Sequence, residues 1–127
     1  MSIALTLAMV LLQATDTEIV ILGGSNHDEF LGCLSCSNSH PESVWNNVSR
    51  HGWGNGFGTW NPFGPHRNPY GMHSACNQYS QSPPILVDRQ GNLYGTLSVN
   101  AYARGSICGA AGNPQVCRAL RVMCARS

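Results

Sequence analysis

The sequence predicts a single α+β domain that is mostly β and rich in turns, and three observations carry this prediction. Two apolar runs flank a tight turn within residues 84–99, which is the signal of a β-hairpin. Residues 43–80 repeat a short turn motif, and residues 114–125 have the apolar spacing of a helix. A chain of 127 residues can bury one core, so we expect one domain over residues 15–127.

Residues 3–12 form an apolar run with the length of a signal-peptide core, and Ala14 suits the position before cleavage. The run is too short to span a membrane, so no transmembrane span is expected. We therefore interpret residues 1–14 as a signal peptide and expect a secreted, periplasmic or cell-envelope protein. A buried N-terminal helix or strand, or a true start further upstream, is the alternative.

The β-branched run at residues 18–22, closed by Gly23 and Gly24, predicts an N-terminal strand. The acidic patch at residues 27–29 that follows is typical of a solvated loop. Cys33 and Cys36 come next in a C-x-x-C spacing.

The central stretch, residues 43–80, repeats the tetrapeptide Asn-x-aromatic-small. Its copies lie at residues 55–58, 61–64, 68–71 and 77–80, with an outlying copy at 92–95. The Asn side chain can bond its own backbone two residues on, and Gly favours the last position of such a turn. Each copy therefore predicts a turn that carries one aromatic side chain.

Two elements are predicted after the turns. In the hairpin, Asp88 suits the first turn position and Gly91 the left-handed position, and Leu93, Leu97 and Val99 are expected on one buried face. Asn113 and Pro114 are the cap and first residue of a helix that ends near Ala125. Its inner face should carry Val116, Cys117, Leu120, Met123 and Cys124, and its outer face Arg118 and Arg121.

Charged residues make up 10% of the chain, and their order is uneven. Five of the six acidic residues precede Arg50, whereas seven Arg and one Asp lie from Arg50 onward. Because these arginines are spread along the chain rather than clustered, no nucleic-acid partner is expected.

Six cysteines in a small exported chain favour a disulfide framework and no cofactor. They are Cys33, Cys36, Cys76, Cys108, Cys117 and Cys124. One alternative is structural zinc, held by the Cys₃His set of Cys33, Cys36, His73 and Cys76. Another is a redox-active C-x-x-C of a thiol-disulfide oxidoreductase, although residues 37–82 contain no amphipathic helix after the motif.

Three cysteines precede the hairpin and three follow it, so a fully paired chain needs at least one disulfide across the hairpin. Cys117 and Cys124 are separated by about 10 Å of helical rise, too far to bond each other. Cys108 is therefore expected to take one of them, and the other should bond a cysteine before the hairpin.

The aromatic side chains of the turns have two interpretations. They can form the local core of a segment with few strands, since rings supply much buried area. They can also form a stacking platform for a sugar or another flat ligand, with Asn side chains as hydrogen-bonding groups. The candidates for such a surface are Trp45, Trp53, Trp60 and Tyr70, with Asn46, Asn61 and Asn77.

Three segments together resemble a group of small, uncharacterised exported bacterial proteins. They are Leu31-Gly32-Cys33-x-x-Cys36-Ser37, the Ser-x-x-Asn units, and the stretch from Pro83-Pro84 through Val87-Asp88 to Tyr94-Gly95. The likeness covers about residues 31–100 and implies export rather than a particular activity. No catalytic residue is assigned, and we expect a non-catalytic binding or structural module whose partner is a carbohydrate or another envelope component. A small hydrolase that uses a central histidine is a further alternative.

Overall fold

The structure, a computed structural model, describes residues 17–125 of the chain. In chain order the elements are strands β1 (Val20–Gly23), β2 (Glu29–Cys33), β3 (Ile85–Val87) and β4 (Leu93–Thr96), and helix α1 (Pro114–Ala125). The predicted α+β, mostly β fold class is confirmed. The predicted signal peptide at residues 1–14 lies outside the described residues.

The four strands form one antiparallel sheet in the order β2-β1-β3-β4. The predicted N-terminal strand is present as β1, and Ile21 on it lies opposite Gly32 of β2 and Leu86 of β3. Ile21 and Leu86 are both buried. The predicted N-terminal strand and the first strand of the predicted hairpin therefore form the centre of the sheet.

β2 is a strand that the sequence did not predict. The acidic patch at residues 27–29 is therefore only partly the loop that was expected: its last residue, Glu29, is exposed but begins the strand. Further along, Leu31, Gly32 and Cys33 are buried. A Cβ atom on Gly32, whose φ is 130°, would lie 2.8 Å from Val44 Cγ1. Pairing with β1 and close packing against the next segment define this strand, and neither is visible in its local pattern.

The predicted hairpin is present as β3 and β4, with the turn that the sequence indicates. Gly91 N–H donates to Asp88 O at 3.1 Å, and Gly91 has a φ of 89°. The side-chain amide of Asn92, helped by backbone N–H groups, holds the pKa of Asp88 below its usual range. The expected burial of Leu93 is wrong: a register shift between Leu86 and Val87 breaks the alternation, and Leu93 is exposed while Leu97 is buried.

Two segments consist of consecutive turns. In the first turn segment, residues 37–80, backbone hydrogen bonds join residues three apart with a single four-residue step between Gly64 and Asn68. The second turn segment, residues 100–112, has the same three-residue bonds. Bonds nine residues apart, such as Trp53 N–H to Val44 O at 2.8 Å, hold successive passes of the first segment together.

Each edge of the sheet is covered by one turn segment. Cys33 at the end of β2 forms a parallel bridge with Ser43, and Thr96 at the end of β4 forms one with Ser106. The backbone groups of an uncovered edge strand are unpaired and can pair with another chain. Each turn segment therefore pairs with the last residue of one edge strand, where the chain leaves the sheet.

The main core lies between the sheet, the first turn segment and α1. Its buried members are Ile21, Leu31, Val44, Trp53, Trp60, Ala75, Leu86, Leu97, Ile107, Leu120 and Met123. The predicted helix is confirmed, since Asn113 Oδ1 accepts the N–H groups of Gln115 and Val116 at 3.0 and 3.1 Å. Leu120 and Met123 are buried on its inner face, and Arg118 and Arg121 are exposed, as predicted.

The six cysteines form three disulfides: Cys33–Cys36, Cys76–Cys124 and Cys108–Cys117. The expected disulfide framework is therefore present. Cys76–Cys124 crosses the hairpin and attaches the end of α1 to the first turn segment. The pairing agrees with the expectation that Cys108 bonds Cys117 or Cys124 and that the other bonds a cysteine before the hairpin.

Candidate ligand-binding surface

Asparagine side chains fix the local geometry of the turns. At each of six positions, an Asn Oδ1 accepts the backbone N–H of the residue two further on, at 2.9–3.2 Å. The six are Asn46, Asn55, Asn61, Asn68, Asn77 and Asn100. This bond turns the side chain of Asn against the backbone and leaves the side chain of the second residue at the outside of the turn.

Five of these outer positions carry an aromatic ring that is almost fully exposed. The exposed fractions are 98% for Phe57, 88% for Phe63, 88% for Tyr70, 79% for Tyr79 and 97% for Tyr102. We name Phe57, Phe63, Tyr70 and Tyr79 the outer aromatic series, since all four lie on the first turn segment. Exposed apolar groups that are contiguous, rather than single, mark sites of interaction.

Two of the aromatic candidates from the sequence belong to the core instead. Trp53 and Trp60 are 7% and 0% exposed, so neither can offer a ring face to a ligand. Their rings pack edge to face at 6.0 Å, and Trp60 Nε1 donates to Leu31 O at 3.2 Å. Trp45 is partly exposed, but its Nε1 donates to Leu34 O and its ring packs on Trp53.

The asparagine candidates differ in what they can still offer. Asn46 and Asn77 use both side-chain groups within the fold, because their Nδ2 atoms donate to His40 O and Gly71 O at 3.1 and 2.8 Å. Asn61 uses Oδ1 to bind Phe63 N–H, and among the described residues its Nδ2 has no partner. Of the three, Asn61 is the one with a group left for a ligand.

Grooves separate neighbouring members of the outer aromatic series. Phe63 and Tyr70 line a groove of about 340 Å³, and Tyr70 and Tyr79 line the next, of about 440 Å³. Tyr70 is shared by the two, so three rings follow one another along the surface. Of the four ligand-surface rings named from the sequence, Tyr70 is the one that the structure places here.

A third groove, of about 450 Å³, lies beside Phe57 and has charged side chains of both signs. Glu29, Arg50, Thr59 and His66 line it. His66 is buried and its Nε2 lies 3.2 Å from Glu29 Oε1. These groups can donate to or accept from the hydroxyl groups of a ligand stacked on Phe57.

Arg121 of α1 lies in the groove between Tyr70 and Tyr79. Its Nη2 donates to Val99 O at 3.2 Å, which positions the guanidinium group at the groove. The helical pattern predicts Arg121 on the solvent-facing side of the helix, but nothing in the sequence brings it beside the tyrosines. The crossing disulfide Cys76–Cys124 does so, since it joins α1 to the turn that precedes Tyr79.

The cysteines named for the zinc and redox alternatives are all oxidised in the structure. Cys33 and Cys36 bond each other, and Cys76 bonds Cys124, so these positions offer no thiolate. His73 Nδ1 is buried without a hydrogen-bond partner among the described residues. In the oxidised chain the proposed Cys₃His set therefore has no sulfur ligand available.

The Cys33–Cys36 disulfide lies next to a carboxylate. Glu18 Oε2 is 3.3 Å from Cys36 Sγ and 3.7 Å from Cys33 Sγ, and it accepts a hydrogen bond from Arg89 Nη2 at 2.9 Å. Negative charge beside a sulfur disfavours a thiolate there, which is the form that thiol-disulfide exchange requires. The partner Arg89 offsets part of this effect.

The histidines of the turns are held by the fold. His51 Nδ1 lies 3.0 Å from Thr59 Oγ1, and its ring packs edge to face on Phe30. Burial, followed by the charge of Arg50, lowers the pKa of His51 below its ordinary value. His51 is therefore mostly neutral at pH 7 and contributes packing and one hydrogen bond.

The chain matches no family model, no curated protein and no solved structure. Within residues 17–125, no helix has the length and apolar character needed to cross a membrane.

Proposed function

We propose that this protein is a secreted or cell-envelope binding module without catalytic activity, and that its outer aromatic series binds the sugar rings of a polysaccharide. The observation that carries the proposal is the exposure of rings at one recurrent turn position, from 79% to 98%. Burying apolar surface releases roughly 25 cal/mol per Å², so a ring kept in water leaves this free energy to a ligand.

The arrangement of the rings supports a long, repeating ligand. Three rings in succession border two adjoining grooves, so one chain of sugars can contact several of them together. Asn61 Nδ2 and the polar groups beside Phe57 add hydrogen-bonding groups for hydroxyls.

The rigidity of the turns also supports binding. The Asn side-chain hydrogen bonds hold the backbone beneath Phe63, Tyr70 and Tyr79, so a ligand orders little more than the rings themselves. A surface that is already ordered loses less conformational entropy when it binds.

Export is proposed on the cysteines, the N-terminal apolar run and the resemblance to small exported bacterial proteins. Three disulfides are stable outside the reducing cytosol.

The test is a binding assay of the oxidised protein against a panel of soluble and insoluble polysaccharides, by affinity electrophoresis and pull-down. For any polysaccharide bound, Phe63→Ala, Tyr70→Ala and Tyr79→Ala should each weaken binding by about fivefold, since one stacked ring contributes about 1 kcal/mol.

Tyr102→Ala is the matched control. Tyr102 has the same Asx turn position and is equally exposed, but it lies on the second turn segment and lines none of these three grooves. Its removal should leave affinity unchanged. Equal losses for Tyr102→Ala and Tyr70→Ala, or no binding to any polysaccharide, would contradict the proposal.

A further inference from the structure

The groove between Tyr70 and Tyr79 differs in charge from the groove beside Phe57. The Phe57 groove contains both Glu29 and Arg50. In the Tyr70–Tyr79 groove, Arg121 is the charged side chain, and among the described residues no carboxylate lines it. The two grooves therefore suit different ligand groups.

The guanidinium group of Arg121 is held in place by the fold but still has N–H donors for a ligand. One of its nitrogens donates to Val99 O at 3.2 Å. A guanidinium group has five N–H donors in a planar fork, so several remain for a ligand. Because Cys76 lines the same groove and bonds Cys124, three residues after Arg121, the helix cannot move the cation away from the tyrosines.

The surroundings of this groove are also free of negative charge in the described part of the chain. Arg118 and Arg121 line a groove of about 660 Å³ along α1, and the Phe63–Tyr70 groove has Arg67; carboxylates line neither. The one acidic residue after residue 50 is Asp88, whose oxygens accept hydrogen bonds from Asn92 and Tyr94 in the hairpin turn. An anionic ligand would meet attraction from Arg121, and none of the described residues that line these grooves would oppose it with a carboxylate.

We propose that the Tyr70–Tyr79 groove binds a uronic acid residue of an acidic polysaccharide, with the sugar ring against the tyrosines and its carboxylate on Arg121. This rests on the proposed function and names the ligand class of that surface. A planar carboxylate matches the guanidinium fork and accepts two parallel hydrogen bonds from it.

The number of cations favours an acidic glycan over single-stranded nucleic acid, which also stacks on aromatic rings. A nucleic acid carries a phosphate for every base and needs a cationic groove along its backbone. Along the Phe63, Tyr70 and Tyr79 rings, Arg67 is 5% exposed and donates to Trp60 O, so its charge lies within the protein. Among the described residues, Arg121 is then the one exposed cation that lines the grooves of these three rings, a density that fits a polymer with widely spaced carboxylates.

The experiment compares two polymers with the same backbone. Polygalacturonate has a carboxylate on each ring, and its fully methyl-esterified form has none. The oxidised full chain should bind polygalacturonate at least about tenfold more tightly than the ester, as expected for a charge-assisted bidentate contact. The preference should shrink as salt is raised.

Arg121→Gln should remove this preference by weakening the binding of polygalacturonate, while Arg121→Lys should restore part of it as a point charge. Arg104→Gln is the matched control, because Arg104 is exposed and lines none of the four grooves. Circular dichroism of each variant checks that the fold is retained.

Three results would overturn the inference. If both polymers bind equally and the aromatic variants weaken both, the aromatic surface stands and the charge assignment fails. If neither these polymers nor a neutral panel binds, the proposed function fails with it. If an oligothymidylate binds more tightly than polygalacturonate and depends on Arg121, the groove is a nucleic-acid site.

Discussion

The described chain contains two versions of one backbone unit, residues 19–80 and residues 84–125. Each begins with a two-stranded hairpin and continues into a turn segment. In the first half, Leu34 N–H donates to Ile19 O at 2.7 Å; in the second, Leu97 N–H donates to Pro84 O at 2.8 Å. The hairpins meet through β1 and β3, so the two edge strands occupy equivalent positions.

The agreement extends to particular side chains. Ser43 and Ser106 are both buried, and each Oγ accepts the N–H two residues on at 3.1 Å. Gly32 and Gly95 precede the bridging residues Cys33 and Thr96, and both have positive φ.

The halves differ in what completes them. In the first, a long turn segment packs Trp53 and Trp60 inward and holds the outer aromatic series outward. In the second, a short turn segment is followed by α1, which the Cys108–Cys117 disulfide joins to it. The difference teaches that local side-chain to backbone bonds specify the unit, while either tryptophans or a helix can complete its core.

The largest expected effect tests this difference in core completion. Trp60→Ala should lower the free energy of unfolding by about 3–5 kcal/mol, and Leu120→Ala in the second half by about 2–5 kcal/mol, because both leave cavities. Chemical denaturation of each variant measures this. Phe63→Ala, at an exposed position, should stay within about 0.5 kcal/mol. A similar loss for Phe63→Ala would contradict the inward and outward division of the aromatic rings.

The disulfides test how strongly the halves depend on each other. Cys76 and Cys124 are 48 residues apart, and Cys108 and Cys117 are 9 apart. By the chain-entropy model, the first bond contributes about 4 kcal/mol and the second about 3 kcal/mol. Denaturant midpoints of Cys76→Ala/Cys124→Ala and Cys108→Ala/Cys117→Ala should follow this order. The reverse order would show that the second half depends on its own bond more than on its attachment to the first.

The equivalent serines sharpen the comparison. Ser43 Oγ donates to Cys36 O at 3.1 Å, and Ser106 Oγ donates to Ser98 O at 2.9 Å. Ser43→Ala and Ser106→Ala should each cost about 1–3 kcal/mol, because each removes two hydrogen bonds to backbone groups, and one such bond contributes about 0.5–1.5 kcal/mol. Thermal or urea unfolding measures both. Losses that differ by more than this range would show that the two bridges are alike in geometry but not in energy.

The smallest expected effect is a dependence of stability on pH through histidine. It is confined to the first half, because all five histidines precede residue 74. Burial lowers the folded-state pKa of His51, whose ordinary value is 6.5, so the unfolded chain binds a proton first as pH falls. The contribution of His51 to stability is therefore complete above pH 6.5 and is lost as pH falls towards its lowered pKa. Urea midpoints between pH 8 and pH 5 should fall less in His51→Gln than in the unchanged protein. Parallel curves would refute this.

Much of the local structure could be predicted because it depends on near neighbours. The Asx bonds at Asn55, Asn61, Asn68 and Asn77, and the cap at Asn113, involve residues two or three positions apart. The copy predicted at residues 92–95 differs, since Asn92 there bonds Asp88 within the hairpin.

The candidate surface could be predicted only in part. The sequence indicated turns with aromatic side chains, but it grouped Trp60 with Tyr70. A signal was available, because the five almost fully exposed rings all stand two residues after an Asn, whereas the residues two positions before Trp53 and Trp60 are His51 and Gly58. Which side of a turn packs against the sheet depends on the position of the sheet, so the local sequence alone did not indicate it.

The sequence by itself determined the turns, the hairpin loop, the helix cap and the need for a disulfide across the hairpin, because each follows from adjacent residues or from counting. The tertiary structure alone decided β2, the inward tryptophans and the position of Arg121 beside Tyr70 and Tyr79. Those features depend on contacts between residues far apart in the chain, such as Ile21 with Gly32 and Cys76 with Cys124. Their free energy comes from shared burial and chain closure, which no single segment contains.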